Sequence, residues 1–134
     1  MGDMLRTIRA ILISTTAVTD LVSADNIFVE GAPRVSADKQ IVLSDKRGPE
    51  ERTLILNRGQ MSITVWVKDS VEYPNAVTRA ISNAIIATLN KENENLTDSY
   101  STVREFLKEE ASEVYNDEEQ YWMGNILFSY VEGE

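Results

Sequence analysis

From Gln60 to Asp69 the chain reads QMSITVWVKD, its cleanest alternation of apolar and polar positions. Met61, Ile63, Val65 and Val67 are apolar. Ser62, Thr64 and Lys68 between them are polar, and Trp66 breaks the pattern. A period of two predicts a strand with its odd face in a core and its even face toward water. The closing stretch EQYWMGNILFSYVEGE, Glu119–Glu134, alternates less cleanly. Trp122, Ile126, Phe128 and Tyr130 occupy one parity; Tyr121, Met123, Leu127 and Val131 occupy the other. Two apolar parities predict a strand covered on both sides.

Helical spacing appears twice. Leu5, Ile8, Leu12 and Thr15 share a face with Met4 and Ile11, which predicts an amphipathic helix to about Thr16 with Asp3 as its cap. Arg6 and Arg9 ahead of an apolar run give this segment the outline of a signal peptide. Ser14, Thr15 and Thr16 interrupt the run, so the helix is the better reading. Glu72–Lys91 is the second helix, with Pro74 in its first turn and an apolar face of Val77, Ala80, Ile81, Ala84, Ile85, Thr88 and Leu89. Ala80 and Ala84 are small enough to bring that helix close to a sheet.

Shorter strands are expected at Ile27–Val29, Ile41–Ser44 and Thr53–Asn57, the last ended by a turn at Arg58-Gly59. Asp45–Arg52 is a charged loop around Gly48-Pro49, and Asn90–Ser99 is a polar loop. Tyr100–Glu110 reads equally as strand or short helix, and a turn at Asn116-Asp117 leads into the last strand. This order predicts an α+β fold: a mostly antiparallel sheet with two main helices packed on one face, in a single domain over residues 1–134.

Composition narrows the chemistry. The 134 residues include no cysteine and no histidine, which removes disulfides, thiolate sites and the commonest general base. No stretch is long enough to span a membrane. The net charge of −9 divides unevenly: residues 1–91 carry +1 and residues 92–134 carry −10. That balance opposes nucleic-acid binding through a basic patch. No phosphate loop, nucleophile elbow or metal spacing occurs, so the chain is read as a non-enzyme without cofactor or metal. Neighbouring carboxylates such as Glu109-Glu110 point to opposite faces of a strand and do not converge.

What remains is interaction. Trp66, Trp122, Phe128 and Tyr130 are the interface candidates, because aromatics concentrate at interfaces and these exceed what one core face needs. Lys46, Arg47, Glu50, Glu51 and Arg52 make the charged loop a candidate docking element.

Three segments together carry a family resemblance: the opening helix followed by LVSADNIFVEGAP, the unit MSITVWVKDSVEYPNAVTRAISNAIIATL, and the closing YWMGNILFSYVEGE. In this order they resemble the tail-completion, or head-to-tail joining, proteins of long-tailed bacteriophages, which include tail terminators. The resemblance implies a virion protein, made in the host bacterial cytoplasm, that ends the tail tube and docks it onto the head connector. It implies a ring, often hexameric, whose subunits can be monomeric before assembly. The expected partners are further copies of itself, the tail tube protein and the head connector proteins. DNA passes through the lumen without specific binding, and acidic side chains suit that use. Two other readings fit the composition: an acidic inhibitor that imitates DNA, and a small α+β ligand-binding domain.

Overall fold

A computed structural model describes residues 2–29, 37–45, 57–90, 96–97, 102–118 and 120–133. Among the described residues three α-helices, α1 (Gly2–Ile13), α2 (Thr16–Thr19) and α3 (Pro74–Leu89), accompany six strands. The strands are β1 (Ile27–Val29), β2 (Lys39–Asp45), β3 (Asn57–Lys68), β4 (Leu96–Thr97), β5 (Thr102–Asn116) and β6 (Tyr121–Gly133). They form one sheet in the order β1-β2-β3-β6-β5-β4. Only β1 with β2 is parallel among the described pairs. The fold is α+β, as the sequence pattern predicts.

The core lies between the helices and one face of this sheet. Leu5, Ile8 and Leu12 of α1 and Ile81, Ile85 and Leu89 of α3 join a single cluster with Ile41, Leu43, Met61, Ile63, Val65, Val67, Ile126 and Phe128. β3 alternates as its sequence predicts: its odd residues from Met61 to Val67 are buried and its even residues from Ser62 to Lys68 are half-buried. Each large aliphatic side chain taken fully out of water contributes about 1.5–3 kcal/mol, so this one face carries most of the driving force.

Several boundaries differ from the sequence expectation. α1 begins at Gly2, so Asp3 lies inside its first turn rather than at a cap. The helix stops at Ile13, because Thr15 takes an extended backbone (φ −100, ψ 112). The hydroxyls of Ser14 and Thr15 donate back to the Ala10 and Ile11 carbonyls at 3.0 and 2.7 Å, as serine and threonine do near helix ends. No turn forms at Arg58-Gly59. The ladder with β6 runs unbroken from Asn57 opposite Glu132 to Lys68 opposite Tyr121, and Gly59 sits opposite Tyr130 within it. A long partner strand overrides the local turn signal. Tyr100–Glu110 resolves as strand from Thr102 onward, and β5 and β6 close a long hairpin in which Gln120 has φ 58. The expected loop over residues 90–99 contains the short strand β4. Most of the charged loop and the expected strand Thr53–Asn57 lie outside the described residues.

α3 starts at Pro74, two residues later than expected but with Pro74 in its first turn, and its sheet-facing side is rotated. Thr78 and Ser82 are buried with Ile81, Ile85 and Leu89, while Ala80 is exposed. The space for Thr78 and Ser82 comes from the sheet. Gly124 lies beneath them, and a Cβ there would stand 2.6 Å from Ser82 Oγ, 3.1 Å from Thr78 Cγ2 and 3.6 Å from Val65 Cβ. The close approach at Thr78 and Ser82 therefore depends on a glycine in β6 and not on Ala80, while Ala84 is half-buried against the core. Thr78 donates its hydroxyl to the Pro74 carbonyl at 2.8 Å, whereas Ser82 Oγ is buried without a partner among the described residues.

Gly124→Val is expected to lower stability by about 1–3 kcal/mol, the usual cost of forcing carbon into a filled site. Adding Ser82→Ala should recover part of that loss, since it removes the nearest atom. Urea unfolding of the two single variants and the double variant measures both effects. A Gly124→Val protein as stable as the parent would show that α3 does not need the gap.

Candidate assembly surface

The register of β3 with β6 sorts side chains between two faces. Ser62, Thr64, Trp66 and Lys68 stand opposite Leu127, Asn125, Met123 and Tyr121 on the face away from the helices. Gln40 and Val42 of β2 extend this face on one side; Ser112 and Val114 of β5 extend it on the other. Exposure rises across it: Gln40 and Val42 are buried, the residues of β3 and β6 are mostly half-buried, and Val114 is 50% exposed. Trp66 packs edge-on against Tyr121, with ring centroids 5.6 Å apart and an interplanar angle of 86°. Such aromatic pairs contribute about 0.5–1.5 kcal/mol beyond the area they bury. Thr64 Oγ1 lies 3.4 Å from Asn125 Oδ1, and Ser129 Oγ donates to Glu109 Oε2 at 2.8 Å. A shallow depression of about 270 Å³ lies between Ser62, Glu110, Ser112, Asn125 and Leu127.

The four aromatic candidates separate on this frame. Trp66 is on the open face and half-buried. Trp122 stands opposite Val67, hence on the helix-bearing face near the hairpin turn, where it is half-buried and 5.3 Å from Tyr115. Phe128 and Tyr130 are only 0% and 2% exposed, and so belong to the chain's own core rather than to an interface. Phe106 packs on both, at 4.6 and 6.2 Å between centroids. The physical reason is parity: Phe128 lies opposite Met61 and Tyr130 opposite Gly59, and that parity faces the helices. Sequence reasoning missed Tyr121, Met123, Leu127 and Val114 as members of the open face. For Tyr121, Met123 and Leu127 the signal was the second apolar parity of the closing strand; Val114 lies in β5, outside that strand. The docking-loop candidates Lys46, Arg47, Glu50, Glu51 and Arg52 lie outside the described residues.

At the hairpin end the surface is tied to the turn between β3 and α3. Tyr115 donates its hydroxyl to Asp69 Oδ2 at 2.9 Å, and Asp69 N–H donates to the Gln120 carbonyl at 3.0 Å. Arg79 of α3 pairs with Glu113 of β5 at 2.9 Å. The hydrogen bond to Asp69 raises the Tyr115 phenol above its ordinary pKa of 10.0; desolvation and the charges of Asp69 and Asp117 push the same way. None of these groups converges on a cleft in the manner of a reacting centre.

No protein-family model matches this chain, and no curated protein matches it. Solved structures do. One is a chain of the virion of a native gene transfer agent particle, at TM-score 0.72 and 16% identity, covering 94% of this chain and 92% of that one. A second solved chain is similar at TM-score 0.65 and 11% identity, covering 97% of this chain and 96% of its own. The likeness is one of fold.

Two measurements separate the roles assigned above. Phe128→Ala is expected to cost about 3–5 kcal/mol in urea unfolding, as deletion of a core aromatic does, and Trp66→Ala distinctly less. Equal losses would place Trp66 in the core. For Tyr115, the folded state favours the neutral phenol. Its contribution is therefore complete below about pH 10.0 and is lost as pH rises through the folded pKa. An ultraviolet titration should place the Tyr115 transition late and move it to lower pH in Asp69→Asn. An unchanged curve would remove the contact.

Proposed function

We propose that this protein is a structural subunit of a phage-like virion, and that it caps the tail tube and joins the tail to the head connector. The observation that carries the reading is the fold shared with a gene transfer agent virion chain over 94% of this chain. The order of sequence segments that resembles tail-completion proteins supports the finer assignment. In this reading the subunits form a ring, hexameric when assembled, and the partners are the tail tube protein and the head connector proteins. A neighbouring subunit covers the open face around Trp66, Tyr121, Met123 and Leu127. DNA passes through the lumen without specific binding, since carboxylates repel phosphate and let the duplex slide. Exposed Glu109, Glu110, Glu113, Asp117 and Glu118 supply that charge on the β5–β6 hairpin. The reading gives the protein a mechanical role in the particle and no catalytic one.

Particles produced without this protein should appear in negative-stain electron microscopy as separate heads and tails. Joined virions at the parental frequency would overturn the assignment. Supplying Trp66→Ala in place of the parent should restore fewer joined particles while the variant remains folded by circular dichroism.

A further inference from the structure

The two edges of the sheet are finished differently. On one side β1 is three residues long, and Arg9 Nε donates to the Ile27 carbonyl at 2.7 Å. On the other side β4 pairs with β5 only at Thr102 and Val103. Lys108 N–H donates to Asn90 Oδ1 at 2.9 Å, where the chain leaves α3. Beyond that contact, from Glu109 to Tyr115, β5 pairs with β6 along one edge and has no strand along the other among the described residues. All seven residues of this stretch are exposed. An antiparallel strand aims alternate N–H and C=O groups away from its partner, so the stretch presents a row of open backbone donors and acceptors.

The side chains decide what kind of strand the edge accepts. Glu109, Glu110 and Glu113 lie on it, Asp117 and Glu118 follow, and residues 109–118 contain no basic side chain. Two such edges brought together would oppose carboxylate to carboxylate, so a second copy of β5 is disfavoured. Nucleic acid is repelled for the same reason. Val114 and Tyr115 are 50% and 36% exposed and offer apolar contact on either side of the ribbon. We infer that the free edge of β5, Glu109–Tyr115, accepts an extended basic segment of another protein as an added strand. Backbone hydrogen bonds supply the binding, and lysine or arginine at alternate positions supplies the selectivity. The register irregularity between Lys108 and Glu110, together with the acidic side chains, keeps like strands off this edge; neither feature bars a basic one. This inference stands on the edge itself and does not rest on a virion role.

The test uses the full chain and an eight-residue synthetic peptide that alternates lysine with valine. Titration calorimetry should detect binding, and hydrogen exchange should show new protection at the amides of residues 109–115. Two further peptides carry N-methyl groups on every second residue, one in each phase. Only one phase faces the edge, so one of these peptides should lose binding and the other keep it. Glu110→Lys, at an exposed position, should weaken the parent peptide about tenfold while the circular dichroism spectrum is unchanged. Failure of the lysine peptide to bind would overturn the inference. So would equal binding by the two methylated peptides, which is the mark of simple charge attraction, or protection elsewhere in the chain.

Discussion

Everything else in this molecule depends on the register between β3 and β6. All twelve residues of β3 pair, and the pairing puts the odd residues of β3 with the even residues of β6. A slip of one residue would send Phe128 and Tyr130 to the open face and bring Asn125 and Ser129 into the core. The same register sets Gly124 opposite Val65, where Thr78 and Ser82 of α3 lie close on the sheet. One pairing thus fixes the composition of the core, the height of the helix and which residues lie on the face away from the helices.

From that pairing follows an asymmetry between the two ends of α3. Near its start, Thr78 and Ser82 rest on Gly124, and Arg79 reaches Glu113. At its end, Leu89 is in the core and Asn90 holds the backbone of Lys108. The helix therefore grips the β5–β6 hairpin at two points along its length. Tyr115 adds a third through Asp69, in the turn that leads into the helix. The Asn90 contact reaches the edge of β5 itself; beyond Lys108 that edge has no strand beside it among the described residues.

Much of this was legible in the sequence where one signal spoke alone. The alternation of Met61, Ile63, Val65 and Val67 identified the core face of β3, and Pro74 marked the start of α3. The sequence could not assign parity within the closing strand, because Phe128 and Tyr130 on one side look no more apolar than Tyr121, Met123 and Leu127 on the other. Only pairing with β3 decides between them. The same limit explains Ala80. Its small side chain marked it as the contact to the sheet, whereas the gap that admits α3 lies in β6, a long-range feature no helical window contains. Arg58-Gly59 failed as a turn because the partner strand is long enough to hold it extended. The order of helical and strand patterns led to the fold class, and a solved chain at 16% identity shares that fold.

The open face also limits how tightly it can bind by itself. Trp66, Met123 and Leu127 are interleaved with Ser62, Thr64, Asn125 and Ser129, and all of them are already half-buried. A stable pairwise interface removes about 1,200–2,000 Å² from water and centres on a desolvated apolar cluster. A partly shielded, mixed face supplies a fraction of that, while association must also overcome the lost freedom of two bodies. Contacts this modest become effective when each subunit is held at two sides at once, because the second contact then forms at a high effective concentration. For the ring proposed here, that means a subunit that stays apart in dilute solution and closes only where a template gathers its neighbours. The acidic side chains of β5 push the same way, since copies free in solution repel one another until a partner of opposite charge compensates them.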